Sequence, residues 1–83
     1  MQNLSIYLRQ KYDKAYYMDL AKIIKERRDK LGISQESLAQ MAEVGIATLK
    51  DIERGKGNPR ISTVEKIMEV LGMEMEFQIR KTV

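Results

Sequence analysis

The side chains best suited to chemistry in this sequence lie between Thr48 and Arg60, where Thr48, Lys50, Arg54, Lys56, Asn58 and Arg60 follow one another closely. Lysine and arginine offer hydrogen-bond donors and a fixed positive charge but no acceptor, so their counterpart is an anion. Lys50 and Arg54 stand one helical turn apart and share a face. That spacing suits one contact to a base edge and one to a phosphate oxygen. Catalysis is a poor alternative. The chain has no cysteine and no histidine, which removes thiolate and imidazole ligands and the usual nucleophile and base pairs. Its carboxylates are scattered among lysines and arginines at solvent-facing spacings, so no convergent acid and base are expected. Neither an enzyme nor a cofactor site is predicted.

The stretch that must position these groups reads QESLAQMAEVGIATLKDIERG, from Gln35 to Gly55. Leu38, Ala39 and Ala42 recur at helical intervals, Val44 and Gly45 interrupt, and Ile46, Leu49 and Ile52 then resume the period. Two short amphipathic helices sharing one apolar seam are predicted. Gly45 is the expected hinge, free of the steric penalty a side chain would bring, and the expected N-cap of the second helix. Ala39 and Ala42 are small enough for the second helix to cross closely over the first, as in a helix-turn-helix. Such a unit points the N-terminal side chains of its second helix into a major groove of DNA while the first helix lies across the backbone.

The residues Gln35, Leu38, Ala39, Ala42, Val44, Thr48, Leu49, Ile52, Glu53 and Gly55, preceded by Arg28 and Gly32-Ile33-Ser34, resemble the Cro/repressor (XRE) helix-turn-helix family over about Leu20 to Leu71. The resemblance implies a lambda-repressor-like domain of four to five helices. It implies a structural ion pair between Arg28 and Glu53, and a phosphate contact for Gln35 at the start of the motif. The set expected to face DNA is Gln35, Gly45, Ile46, Ala47, Thr48, Lys50, Asp51, Arg54, Lys56, Asn58 and Arg60. This sequence departs from the family at Glu43, where glycine is usual, and at Gly45, where serine or threonine usually caps the recognition helix. Ile46 and Ala47 replace residues that are more often polar. Base readout then rests on Thr48, Lys50 and apolar contact with thymine methyls.

Eighty-three residues make one domain, small enough that stabilisation by a second subunit would be no surprise. The formal charge of +3 is unevenly spread. Residues 1–32 hold eight basic and four acidic side chains, residues 33–60 four of each, and residues 61–83 three against four. The positive excess therefore precedes the motif. No apolar run is long enough for a membrane span and no signal-like N-terminus is evident, so a cytoplasmic protein is expected.

Flanking helices are expected on both sides of the motif. Asp19 is placed to cap a helix carrying Leu20, Ile23, Ile24 and Leu31 inward, with Gly32 as its stop. Ser62 and Glu65 have the spacing of a capping box ahead of Val64, Ile67, Met68 and Leu71, and Gly72 follows. Asn58-Pro59 marks the loop between. The domain proper is thus expected over residues 19–72, with an extension at 1–18 and a strand and tail at 73–83.

After Gly72 the period shortens to two. Met73, Met75, Phe77 and Ile79 alternate with Glu74, Glu76, Gln78 and Arg80, the pattern of a strand with one buried face. A strand needs a partner, and the simplest is the same segment of a second subunit, antiparallel about a two-fold axis. Met73, Met75, Phe77 and Ile79 are then the dimerisation residues of an otherwise all-α fold. This arrangement is similar to HipB-like antitoxins and related regulators. The alternative is that the strand folds onto its own chain or is a frayed tail. In residues 1–18, Leu4, Leu8, Tyr12 and Ala15 or Tyr16 fit a helix, whereas Leu4, Ile6 and Leu8 equally fit a strand beside Phe77. Arg9, Lys11 and Lys14 are candidates for phosphate contact, and Tyr12, Tyr16 and Tyr17 for packing, base stacking or a partner protein. The expected function is a dimeric repressor that binds double-stranded DNA at an inverted repeat. The runner-up is an antitoxin that also controls its own operon, with a toxin protein as partner.

Overall fold

The computed structural model describes residues 2–7 and 14–78, with side-chain environments from 20 to 75. The order is β1 (Gln2–Tyr7), α1 (Lys14–Leu31), α2 (Gln35–Ala42), α3 (Ile46–Glu53), α4 (Ile61–Val70) and β2 (Met73–Gln78). The apolar periodicity converges on one core. Leu20 and Ile24 of α1, Leu38, Ala39 and Ala42 of α2, Leu49 and Ile52 of α3, and Val64, Ile67 and Met68 of α4 are all buried, as are Leu71 and Met73. Leu31, expected inward, is 44% exposed, because it ends α1 just before the chain turns away at Gly32.

Helix α1 begins at Lys14, so Asp19 lies inside it rather than at its cap. No glycine or proline occurs ahead of Gly32, and nothing local stops the helix from extending toward its N-terminus. Helix α4 begins at Ile61 with Arg60 as the extended N-cap and no side-chain cap bond. The Arg60 carbonyl accepts from the amides of Thr63 and Val64, at 3.0 and 3.1 Å. Ser62 sits one residue past the helix start, so the expected capping box does not form. Helix α2 carries a cap that the sequence reading overlooked: the Ser34 hydroxyl accepts from the Ser37 amide at 3.0 Å.

The turn between α2 and α3 also differs from expectation. Gly45 caps α3 with φ −65°, a conformation any residue accepts. The left-handed residue is Glu43, at φ 57° and ψ 44°. Its amide bonds to the Gln40 carbonyl at 3.2 Å while the Val44 amide reaches back to Ala39 at 3.0 Å. This is a Schellman ending, which normally employs glycine at the left-handed position. The hinge is therefore Glu43, the position where this chain departs from the usual glycine.

The fold is mostly helical rather than all-α, since β1 and β2 form a two-stranded parallel sheet. Gln2 stands opposite Met73, Leu4 opposite Met75 and Ile6 opposite Phe77. Parallel strands need a long crossover, and the four helices supply it. The partner that β2 requires is thus in its own chain, and Met73 is buried against its own helices. Met75 is half-buried on the same core. Arg27 reinforces this end of the domain, where its Nε donates to the Leu71 carbonyl at 2.9 Å. A side chain at Gly72 would stand 3.6 Å from that guanidinium, and φ 69° there favours glycine.

Candidate nucleic-acid interface

Glu53, the last residue of α3, is a carboxylate only 2% exposed, a placement that is unfavourable for a charge unless it is paired and hydrogen-bonded. Arg28 of α1 supplies the pairing. Its Nε donates to Glu53 Oε2 at 3.0 Å and its Nη2 to Oε1 at 3.1 Å, the two-pronged geometry that guanidinium and carboxylate share. Gln35 Nε2 also donates to Glu53 Oε1, at 3.1 Å, and Arg28 Nη1 donates to the Ile33 carbonyl at 3.0 Å. The hydrogen bonds to Glu53 raise the Arg28 pKa above its already high ordinary value, against the opposing effect of burial. Among the described residues no buried side-chain nitrogen or oxygen lacks a partner. One network therefore ties the end of α3 to α1, to the 31–34 turn and to the start of α2.

With its C-terminal end so held and Leu49 and Ile52 in the core, α3 presents its other side outward. Gly45, Ile46, Ala47, Thr48, Asp51 and Arg54 are exposed. Ala47, Asp51 and Arg54 follow one another along the outward ridge at helical spacing, with Thr48 on one flank. Lys50 is half-buried on the other flank. Arg54 turns toward Asp51, with Nη1 to Oδ1 at 3.5 Å and both side chains more than half exposed. A pair this exposed contributes about 0–1 kcal/mol, so it yields readily to a stronger anion.

The following loop extends the surface. Gly55 and Gly57 take positive φ, and the Lys56 amide bonds to the Asp51 carbonyl at 2.9 Å, folding the loop against α3. Lys56, Asn58 and Arg60 are exposed at alternate positions along it. Gln35 is only half-buried, and its amide nitrogen retains a second hydrogen beyond the one given to Glu53. The structure thus gathers Gly45 to Asp51, Arg54 and the loop cations on neighbouring elements, and sets Arg28 and Glu53 behind them. Phe77 has its backbone in β2, but its side chain, and Ile79 entirely, lie outside the described residues.

Arg27 and Ser34 are the contributors that sequence reasoning missed. Ser34 had a legible signal, a serine directly ahead of an apolar-periodic run. Arg27 had none, because its target is a main-chain carbonyl 44 residues away.

Two eight-residue helices joined by the three residues 43–45, with the second displaying its N-terminal half, define a helix-turn-helix domain. The chain belongs to the helix-turn-helix family HTH_3, whose model matches residues 24–78. It is 29% identical over 56 residues to the HTH-type transcriptional regulator DdrOP3 of Deinococcus deserti, covering 68% of this chain and 43% of that protein. It is 35% identical over 52 residues to an uncharacterized HTH-type transcriptional regulator of Methanothermobacter thermautotrophicus, covering 63% of this chain and 75% of the relative. The match thus spans less than half of the Deinococcus protein. Among the described residues no helix is long and apolar enough to cross a membrane.

Proposed function

We propose that this chain is a sequence-specific DNA-binding transcriptional regulator acting as a dimeric repressor. The observation that carries the reading is the Glu53 network, which fixes α3 from behind while leaving Ile46, Ala47, Thr48 and Asp51 exposed. Side chains that read bases must be held on a rigid element, and this arrangement holds them. In this reading α3 enters the major groove. Thr48 and Lys50 contact base edges, and Ile46 and Ala47 meet thymine methyls. Lys56, Arg60 and, once released from Asp51, Arg54 neutralise phosphates. Gln35 reaches phosphate with its second amide hydrogen while still serving Glu53. The names of the two regulators matched above support the regulatory role.

Dimerisation supplies affinity that one short recognition helix lacks. Two such helices related by a two-fold axis enter successive major grooves about 34–36 Å apart, so the operator is an inverted repeat with half-sites one helical turn apart. Occupancy near a promoter would then exclude polymerase. The toxin-neutralising alternative draws on Tyr12, Tyr16 and Tyr17, whose side chains lie outside the described residues, and it is compatible with DNA binding through α3. Footprinting of the purified protein on DNA upstream of its own coding region tests binding, symmetry and spacing together. A protected inverted repeat at low salt is the expected result, and no discrimination between that DNA and random duplex would overturn the reading.

A further inference from the structure

Asp51 is an acid on the face that α3 would turn toward a polyanion. It is exposed on the outward ridge, one turn after Ala47 and just ahead of Arg54, whereas Glu53, the other acid of the helix, is buried. Its main chain is fixed, since its carbonyl accepts from the amides of Arg54 at 3.2 Å and Lys56 at 2.9 Å. The loop keeps clear of its side chain, because residue 57 is a glycine and a side chain there would begin 3.9 Å from the Asp51 Cβ. Ala47 carries only a methyl group, so it does not hold the helix away from a surface that the short Asp51 side chain must reach. The one ion pair that Asp51 makes among the described residues is the exposed one with Arg54, at 3.5 Å.

We propose that Asp51 is a specificity determinant of this helix, its carboxylate accepting a hydrogen bond from the exocyclic amine of a cytosine in the major groove. The proposal rests on the DNA-binding reading above and names one base of the site. The requirement arises from the loss of Arg54. When a backbone phosphate takes that guanidinium, Asp51 is left in the groove with a charge and no partner. A carboxylate accepts and donates nothing, so only a base edge that offers a hydrogen replaces what Arg54 gave. In the major groove guanine presents N7 and O6 and thymine presents O4, all acceptors that repel the carboxylate. Adenine offers its N6 amine beside the acceptor N7, whereas cytosine offers its N4 amine with no acceptor next to it on that base. Guanine and thymine are thus rejected by repulsion as much as cytosine is selected by attraction. On random duplex the carboxylate meets a base other than cytosine at most registers, so Asp51 also lowers non-specific affinity.

The test titrates the full chain with duplexes that carry each of the four bases at every position of the footprinted site. The parent should prefer cytosine at one base pair for each recognition helix bound, by about 5- to 100-fold over guanine and thymine. Asp51→Ala should lose that preference at that base pair alone and should bind random duplex more tightly. Asp51→Asn should transfer it to adenine, whose N6 and N7 match an amide. Asp51 is exposed, so neither change should disturb the fold. An Asp51→Ala protein that keeps the parent's preference at every position, loses affinity for operator and random duplex alike, or relaxes a position where the parent preferred guanine or thymine would overturn the assignment and leave the DNA-binding reading standing. A parent that does not discriminate between its upstream DNA and random duplex would overturn that reading and this proposal with it.

Discussion

Replacing Glu43 by glycine should stabilise this protein. Glu43 holds φ 57° and ψ 44° and is exposed, so its side chain gives up no buried contact on removal. A left-handed conformation costs a residue with a Cβ about 1–2 kcal/mol. Glycine removes that strain but brings a more mobile unfolded chain, worth about 0.4–1 kcal/mol in the opposite direction. A carboxylate at the C-terminal end of α2 also opposes the helix dipole by about 0.3–1 kcal/mol, which glycine relieves. The net expectation is a gain of about 1 kcal/mol, equivalent to about 4–8 °C in Tm for a domain of this size. Thermal melts followed by circular dichroism at one fixed protein concentration measure it, because dimerisation would make Tm depend on concentration. Glu43→Ala separates the two causes: it removes the charge but keeps the strained backbone, and should recover only the dipole part. An unchanged or lowered Tm for Glu43→Gly, or equal gains for both variants, would refute the argument from backbone strain.

Glu53→Ala should cost about 3–5 kcal/mol in urea unfolding, because Arg28 and Gln35 would be left facing an empty acceptor site. Replacing Arg28 and Glu53 together by leucine and methionine should cost much less than Glu53→Ala, and equal losses would mean that packing rather than the unpaired charge dominates. Lys56→Ala and Arg60→Ala should weaken binding to all sequences alike and each reduce the salt slope by about 1 in fluorescence titrations. Thr48→Ala should instead change which operator variants bind best, costing about 1–3 kcal/mol at one base position; equal loss on random duplex would remove Thr48 from base readout.

The helical core was legible in the sequence because its signal is local. Leu38, Ala39, Ala42, Leu49 and Ile52 repeat at helical spacing, and burial follows from that period alone. Arg28 and Glu53 were legible through resemblance, since nothing in their spacing says that two residues 25 apart should meet. Local capping signals misled where a neighbour overruled them. Asp19 and Ser62 are good cap residues, yet α1 runs on upstream and α4 starts two residues early, capped at Arg60 just after Pro59. Glycine was read as the hinge at Gly45, although the backbone required it two residues earlier, where a glutamate stands. The partner of β2 was legible only as an alternative, a strand through Leu4 and Ile6 beside Phe77, because parallel pairing leaves no turn signature and so short an alternation fits a helix equally well.

The pairing of Gln2 with Met73 joins positions 71 residues apart, the longest-range contact on which this fold depends. Closing a loop of that length costs roughly 4 kcal/mol in chain entropy beyond the constant term. The helices between them form from nearer neighbours and can assemble before it closes. The sheet is therefore expected to form late and to open early relative to the helical core.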